Sequence, residues 1–140
     1  MSRSVYLSRK LIDAFLAAQR DKISLAWLYE QHRYLIWWER SLNPLRESGR
    51  GGRRWPATGP RFVLQVSLAL QGVRAQGARL SVLRRILRWC VTEGILQPHE
   101  HPLQDLPLSF FESPDAVAEA VAKWKNLRRR AVKAENTPTS

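Results

Sequence analysis

Three arginines lie close together in a segment whose apolar residues have helical spacing. With Ser81, the residues Arg84, Arg85 and Arg88 stand at i, i+3, i+4 and i+7, so a helix places them on the side opposite its apolar positions. Guanidinium groups this close repel one another unless a counter-charge is present. Each one binds a phosphate or carboxylate through a planar fork of N–H donors. The spacing therefore predicts an exposed anion-binding face on this helix.

The positive charge of the chain is concentrated around that segment. The formal net charge is +11, and residues 40–88 hold 11 of the 23 lysines and arginines against one acid, Glu47. Their net charge is thus +10, which leaves +1 for the rest. A surface that serves solubility alone intersperses the two signs. The charge block therefore indicates an anionic polymer or an anionic surface as partner.

Residues 43–60 carry part of this charge on a segment that breaks the helical pattern. Three glycines within four positions and three prolines predict a long, mobile loop. Arg50, Arg53 and Arg54 supply cations for phosphates, and Trp55 supplies a ring for stacking. A solvated linker is the alternative interpretation of the same residues.

Apolar residues spaced three to four apart predict the helices that position these arginines. The predicted helices cover residues 8–22, 25–42, 60–75 and 78–92, and a last one starts after residue 113. Ser24 caps the second helix, Gly94 ends the fourth, and Ser113 with Pro114 begins the last.

The pattern as a whole predicts an all-α fold, because no segment has convincing strand character. We expect a compact bundle of four to five helices with a long basic loop between the second and the third. Residues 1–112 form the bundle and a connector, and residues 113–140 form a C-terminal helix and a frayed tail. With 44% hydrophobic residues the chain contains enough apolar side chains for a core.

Composition also excludes several classes of protein. No run of about 18 apolar residues exists, so we expect no membrane partner. The first residues lack the apolar region of a secretory signal, and the lone Cys90 cannot form an internal disulfide. These features favour a cytoplasmic protein, and the charge favours one associated with the nucleoid.

Side chains that suit metal binding or catalysis are sparse. His99 and His101 lack a supporting carboxylate or cysteine cluster and are expected to be exposed in a proline-containing loop. His32 falls on an apolar stripe and is expected in the core. We find neither a phosphate-binding glycine loop nor a nucleophile, base and acid set. We therefore expect no catalytic residue, no metal and no cofactor.

Part of the sequence resembles a known family. Residues 80–96 and the following His101-Pro-Leu-Gln-Asp-Leu resemble the end of the N-terminal core-binding domain of tyrosine recombinases, the phage-integrase type. Ile12-Asp-Ala-Phe-Leu, Ser24 and Tyr34-Leu-Ile-Trp-Trp match the first two helices of that domain in order and approximate spacing. The resemblance covers roughly residues 8–108.

The resemblance implies a binding role without catalysis. The arginine, histidine-x-x-arginine and tyrosine set of the family's catalytic domain is absent from the 140 residues, so we expect no cleavage or rejoining of DNA by this chain. The remaining task of such a domain is to grip duplex DNA with its second and fourth helices toward the major groove. A DNA-binding component of a mobile genetic element is thus the expected function.

Within that function the arginines divide by their expected targets. The three groups are Arg84, Arg85 and Arg88 for the groove, Arg33, Arg40 and Arg79 for flanking phosphates, and Arg50, Arg53, Arg54 and Arg61 for the backbone around them.

Two alternatives use the same features. A basic helical subunit of a ribonucleoprotein would place this charge on an RNA backbone and stack its aromatic residues on bases. A protein–protein adaptor would dock through residues 114–134. Competition among duplex DNA, single strands and structured RNA separates the first alternative from DNA binding.

Overall fold

A computed structural model of the chain describes residues 7–42, 60–98, 101, 103 and 106–124. Every regular element in these ranges is helical, so the predicted all-α class is confirmed. The elements are α1 (Arg9–Gln19), α2 (Leu25–Ser41), α3 (Pro60–Leu70), α4 (Gln76–Thr92), a 3-10 helix (Leu108–Glu112) and α5 (114–124). The predicted basic loop lies, apart from Pro60, outside the described residues.

Serine side chains cap three of the helices. The Leu11 N–H donates to Ser8 Oγ at 3.1 Å before α1, and the Trp27 N–H donates to Ser24 Oγ at 3.2 Å before α2. Ser113 Oγ likewise accepts from the Ala116 N–H at 3.3 Å. Each hydroxyl satisfies one of the N–H groups that the first turn leaves unpaired. The predictions for Ser24 and Ser113 are confirmed.

Two helices end earlier than their apolar spacing predicts. α1 ends at Gln19 and α3 at Leu70, instead of at residues 22 and 75. After α1, Arg20 leaves the helical conformation (φ −57°, ψ 135°) and Asp21 is left-handed (φ 70°), and after α3 Gly72 is left-handed (φ 73°). Gly94 (φ 76°) ends α4 in the predicted manner.

The helix α4 lies at the centre of the fold. It contacts α1, α2 and the 3-10 helix, while α2 packs on α1 and α3 packs on the 3-10 helix. Six of its side chains are buried: Leu80, Val82, Leu83, Ile86, Leu87 and Cys90. Burying an aliphatic side chain of this size contributes about 1.5–3 kcal/mol to the stability of the fold. With these positions buried, α4 leaves only a narrow stripe exposed to solvent.

The helix α5 packs on the rest of the chain. Val117 and Val121 are buried, and the Trp124 ring stacks on that of Phe110 with centroids 5.9 Å apart and an interplanar angle of 13°. The described apolar residues of α5, which belong to the segment named for an adaptor, thus contact the core of the chain itself. Residues 125–134 of that predicted surface lie outside the described part.

Polar contacts between distant elements complete the packing. Arg9 Nε lies 3.0 Å from Glu39 Oε2 and joins α1 to α2. Ser67 Oγ donates to the Phe111 carbonyl at 2.8 Å and joins α3 to the 3-10 helix. Within the described ranges, no helix has the length and apolar character needed to cross a membrane.

Candidate nucleic-acid interface

The helices α2 and α4 run antiparallel, and aromatic side chains of α2 meet arginines of α4 along their contact. Trp38 Nε1, near the end of α2, donates to the Arg79 carbonyl in the first turn of α4 at 2.8 Å. Trp27, near the start of α2, lies under the guanidinium of Arg85, whose Cζ is 5.6 Å from the ring centroid. Both ends of the contact therefore pair a tryptophan of α2 with an arginine residue of α4.

Arg79 is held by two aromatic rings. Its Cζ lies 4.4 Å from the Trp37 centroid and 5.0 Å from that of Tyr34, and its Nε donates to the Arg74 carbonyl at 2.8 Å. Arginine stacks on such rings because its flat cation meets their electron-rich faces. The two Nη groups are the remaining donors through which Arg79 would reach an anion.

Arg33 and Arg40 lie on the same part of α2. The Arg33 Cζ is 5.2 Å from the Tyr34 centroid, and the Arg33 side chain is 61% exposed. Its Nη2 is 4.0 Å from Glu30 Oε1, and an ion pair this exposed to water contributes little to stability. Arg40 is exposed and lines a surface hollow with Arg33 and Trp37. Of the three residues predicted for flanking phosphates, Arg33 and Arg79 thus lie over aromatic rings, and Arg40 lines the hollow that contains Trp37.

Arg85 and Arg88 are exposed on α4, as predicted. They border a hollow of about 290 Å³ between α1 and α4, together with Phe15, Gln19 and Trp89. The sequence of α4 contains four arginines and no acid. Arg85 and Arg88 therefore give its exposed stripe a positive potential that no carboxylate on the same helix offsets.

Arg84 does not share that exposed face, so this part of the sequence prediction is wrong. Its side chain is half-buried, and its Nε and Nη2 atoms are shielded from solvent without a hydrogen-bond partner among the described residues. Loss of hydration, followed by the charge of Arg88, lowers the pKa of Arg84. At about 100° per residue, Arg84 lies about 40° from Arg88 on the side away from Arg85. It thus falls at the covered edge of α4.

His101 belongs to the segment beside Arg84. It is buried instead of exposed, and its Nδ1 accepts the Leu103 N–H at 3.2 Å. Burial lowers the pKa of His101, a hydrogen bond with the Arg84 backbone opposes this shift, and the charge of Arg88 adds to it. The expectation of an exposed His101 is therefore wrong, because this segment packs on α4.

The other histidines do not form a metal site in the described structure. His32 is half-buried and lines surface hollows on α2, so its predicted place in the core is wrong. His99 lies outside the described residues. No cluster of three or more histidine, cysteine or acidic residues occurs in the part of the chain that is described.

The remaining candidate arginines are not described. Arg50, Arg53 and Arg54 lie outside the described residues, and Arg61 belongs to α3 with its side chain outside them.

Sequence reasoning missed the aromatic rings that hold the arginines. The signal was present as an aromatic-rich α2 between basic residues, but which rings face α4 depends on how the helices cross.

Comparisons of the chain with protein-family models, with curated proteins and with solved structures found no match in any of the three. Function is therefore inferred from the side chains that α2 and α4 bring together. We call Arg33, Arg40, Arg79, Arg85 and Arg88 the arginine seam.

Proposed function

We propose that the chain is a non-catalytic module that grips duplex DNA through the arginine seam, in the role of an integrase-type core-binding domain of a mobile genetic element. The observation that supports it is the collection of five arginines along one antiparallel helix pair, three of them over aromatic rings. Such a module would act on the nucleoid in the cytoplasm.

The spacing of the seam suits a polyanion better than a small ligand. Arg79 and Arg88 are nine residues apart on α4, which is roughly 13 Å along the helix and about half a turn around it. Duplex DNA carries about one phosphate charge per 1.7 Å of its axis, or about eight charges over that distance. A small anion would therefore reach only one end of the seam, whereas a polyanion that follows the helix pair would meet both.

Stacking prepares the seam for binding. An arginine that is free in solution loses side-chain entropy when it grips a phosphate, and this loss weakens the complex. Arg79 and Arg85 lie over Trp37 and Trp27 before any ligand arrives. Part of the ordering cost is thus met during folding, and the planar N–H donors remain available.

Arg85 and Arg88 are the residues that we propose for base contacts, and Arg84 is withdrawn from this role. They occupy the exposed stripe of α4, whereas two guanidinium nitrogens of Arg84 are shielded. Arginine pairs with the O6 and N7 atoms of guanine through its fork, which lysine lacks.

Lysine substitution tests this assignment. Arg85→Lys and Arg88→Lys keep the charge, and at least one should cost about 1–3 kcal/mol on a site selected from random duplexes but little on random DNA. Arg20→Lys, at an exposed arginine just after α1, is the matched control. If both seam variants bind both DNAs like the parent, α4 does not read bases.

RNA binding is the alternative that uses the same cations. Competition against a labelled duplex decides between the two, because structured RNA should displace it at a lower concentration than unlabelled duplex if RNA is the natural ligand. Stronger competition by the duplex supports the DNA proposal.

An adaptor function through residues 114–134 requires a different test. Truncation at Ser113 would remove Val117 and Val121 from the core and unfold part of the bundle. Charge reversal at the exposed Glu119 and Lys123 leaves those contacts in place. The test is a pull-down with the parent and with the Glu119→Lys and Lys123→Glu variants. Under the DNA proposal the variants retain the same proteins as the parent, whereas loss of a bound protein from a variant favours the adaptor function.

A further inference from the structure

The outer face of α2 presents side chains that a grip on duplex phosphates does not use. Tyr29 is 70% exposed. A hollow of about 390 Å³ is lined by Tyr29, His32, Arg33, Ile36, Trp37 and Arg40. These residues are spaced as one stripe of a helix, so among the described residues the surface belongs to α2. We call it the outer face of α2.

This surface combines aromatic rings with positive charge. Arg33 and Arg40 are exposed at the rim, and Arg33 lies over the Tyr34 ring with its Nη2 4.0 Å from Glu30 Oε1. Trp37 is half-buried and already holds Arg79 against its ring. Tyr29 is therefore the ring of this surface that solvent reaches most readily, and the two cations follow it along α2, four and eleven residues toward the end of the helix.

Intact duplex DNA offers no counterpart to such a ring. Its bases are stacked on one another, and the groups that face outward are phosphates and sugars. An unpaired base instead has a free π-face and lies between two phosphates. Sequence-tolerant binding of unpaired strands uses this combination of a stacking ring and a cationic rim.

The outer face of α2 adjoins the arginine seam. Arg33 and Arg40 belong to both surfaces, and Trp37 lines the hollow while holding Arg79 of the seam. A DNA molecule on the seam would therefore carry any neighbouring unpaired base toward Tyr29.

We propose that the outer face of α2 binds an unpaired nucleobase of DNA, which stacks on Tyr29 while Arg33 and Arg40 contact phosphates of the strand that leads away from this base along α2. The preferred ligand is then a duplex interrupted by unpaired bases, such as a bulge or a branch. This inference rests on the proposed DNA grip of the arginine seam.

The test compares a perfect duplex with the same duplex that carries a short thymine bulge, by fluorescence anisotropy with the full chain. The parent should bind the bulged duplex at least about fivefold more tightly, since stacking on one ring contributes about that factor or more. Tyr29→Ala should remove this preference without weakening binding to the perfect duplex.

Two further substitutions distinguish stacking from simple apolar contact. Tyr29→Phe keeps the ring and should keep the preference, whereas Tyr29→Leu keeps apolar area without a π-face and should lose it. Leu25→Ala is the matched control, because Leu25 is an 82% exposed apolar residue of α2 outside the hollow. Circular dichroism verifies that each variant is folded.

Each result has a distinct meaning. Equal affinity of the parent for the two duplexes overturns the stacking proposal and leaves the duplex grip intact. An undiminished preference of Tyr29→Leu for the bulged duplex does the same. Tighter binding of a bulged RNA duplex overturns the assignment to DNA. Binding of single strands that needs Tyr29, with no binding of perfect duplex, supports the stacking surface and overturns the proposed duplex grip.

Discussion

Arg84 and Arg88 stand one helical turn apart, and the structure predicts opposite results when each is replaced. Arg88 is exposed on α4, whereas Arg84 is half-buried with two nitrogens shielded from water. Methionine substitution removes the charge in both cases and keeps an unbranched, helix-favouring side chain. Arg88→Met should therefore weaken DNA binding in a salt-dependent way, and Arg84→Met should not.

The magnitude follows from counterion release. Each neutralised phosphate contributes about −0.9 to the slope of log affinity against log salt. In the proposed complex Arg88 brings its charge into the groove between the phosphates, so between 50 and 200 mM salt the affinity of Arg88→Met should fall by up to about 3.5-fold less than that of the parent, the value for one neutralised phosphate. Arg84→Met should keep the parental slope. Its stability should be unchanged or raised, because the substitution removes a partly desolvated cation whose Nε and Nη2 lack hydrogen-bond partners among the described residues.

Anisotropy titrations at several salt concentrations measure the slopes, and urea unfolding measures the stabilities. Lys123→Met serves as the control, since Lys123 is exposed on α5 outside the arginine seam. If Arg84→Met flattens the slope as much as Arg88→Met, then Arg84 reaches a phosphate and the division of α4 into exposed and covered arginines is wrong.

Three further predictions concern buried groups. Burial raises the pKa of Cys90 to about 11, so its thiol should react with a disulfide reagent far more slowly in the native protein than in urea at pH 8; equal rates would show that Cys90 is accessible. Burial lowers the pKa of His101 below its ordinary 6.5, so the unfolded state takes up this proton first and stability should fall as pH drops from 7 to 5. His101→Gln should reduce this fall in stability between pH 7 and pH 5, and an equal fall in the variant and the parent would contradict the role given to His101. Trp38→Phe should cost about 2–3 kcal/mol in urea unfolding through a cavity and a lost hydrogen bond to the Arg79 carbonyl, and a cost below about 0.5 kcal/mol would contradict the packing.

The helix starts could be predicted from sequence because their signals are local. Ser24 and Ser113 cap the turns that directly follow them, and Gly94 ends α4 within its own turn. The ends of α1 and α3 were predicted wrongly because apolar spacing continues past Asp21 and Gly72, where the backbone turns left-handed.

The site could be predicted only in part. Helical spacing placed Arg85 and Arg88 on an exposed stripe of α4. It could not show that the segment with His101 covers the edge where Arg84 lies, since the pattern of one helix contains no information on what packs beside it. The contacts of Arg79 with Trp37 and of Arg9 with Glu39 likewise depend on how helices meet.

The salt dependence of duplex binding tests the proposed function most directly. Arg33, Arg40 and Arg79 would give a slope of about −2.7 if each neutralises one phosphate, and Arg50, Arg53, Arg54 and Arg61 would add about −3.6. We therefore predict a slope between about −5 and −7 for log affinity of the full chain against log salt. A slope near zero would contradict the proposal and exclude nucleic acid as the principal partner of this surface.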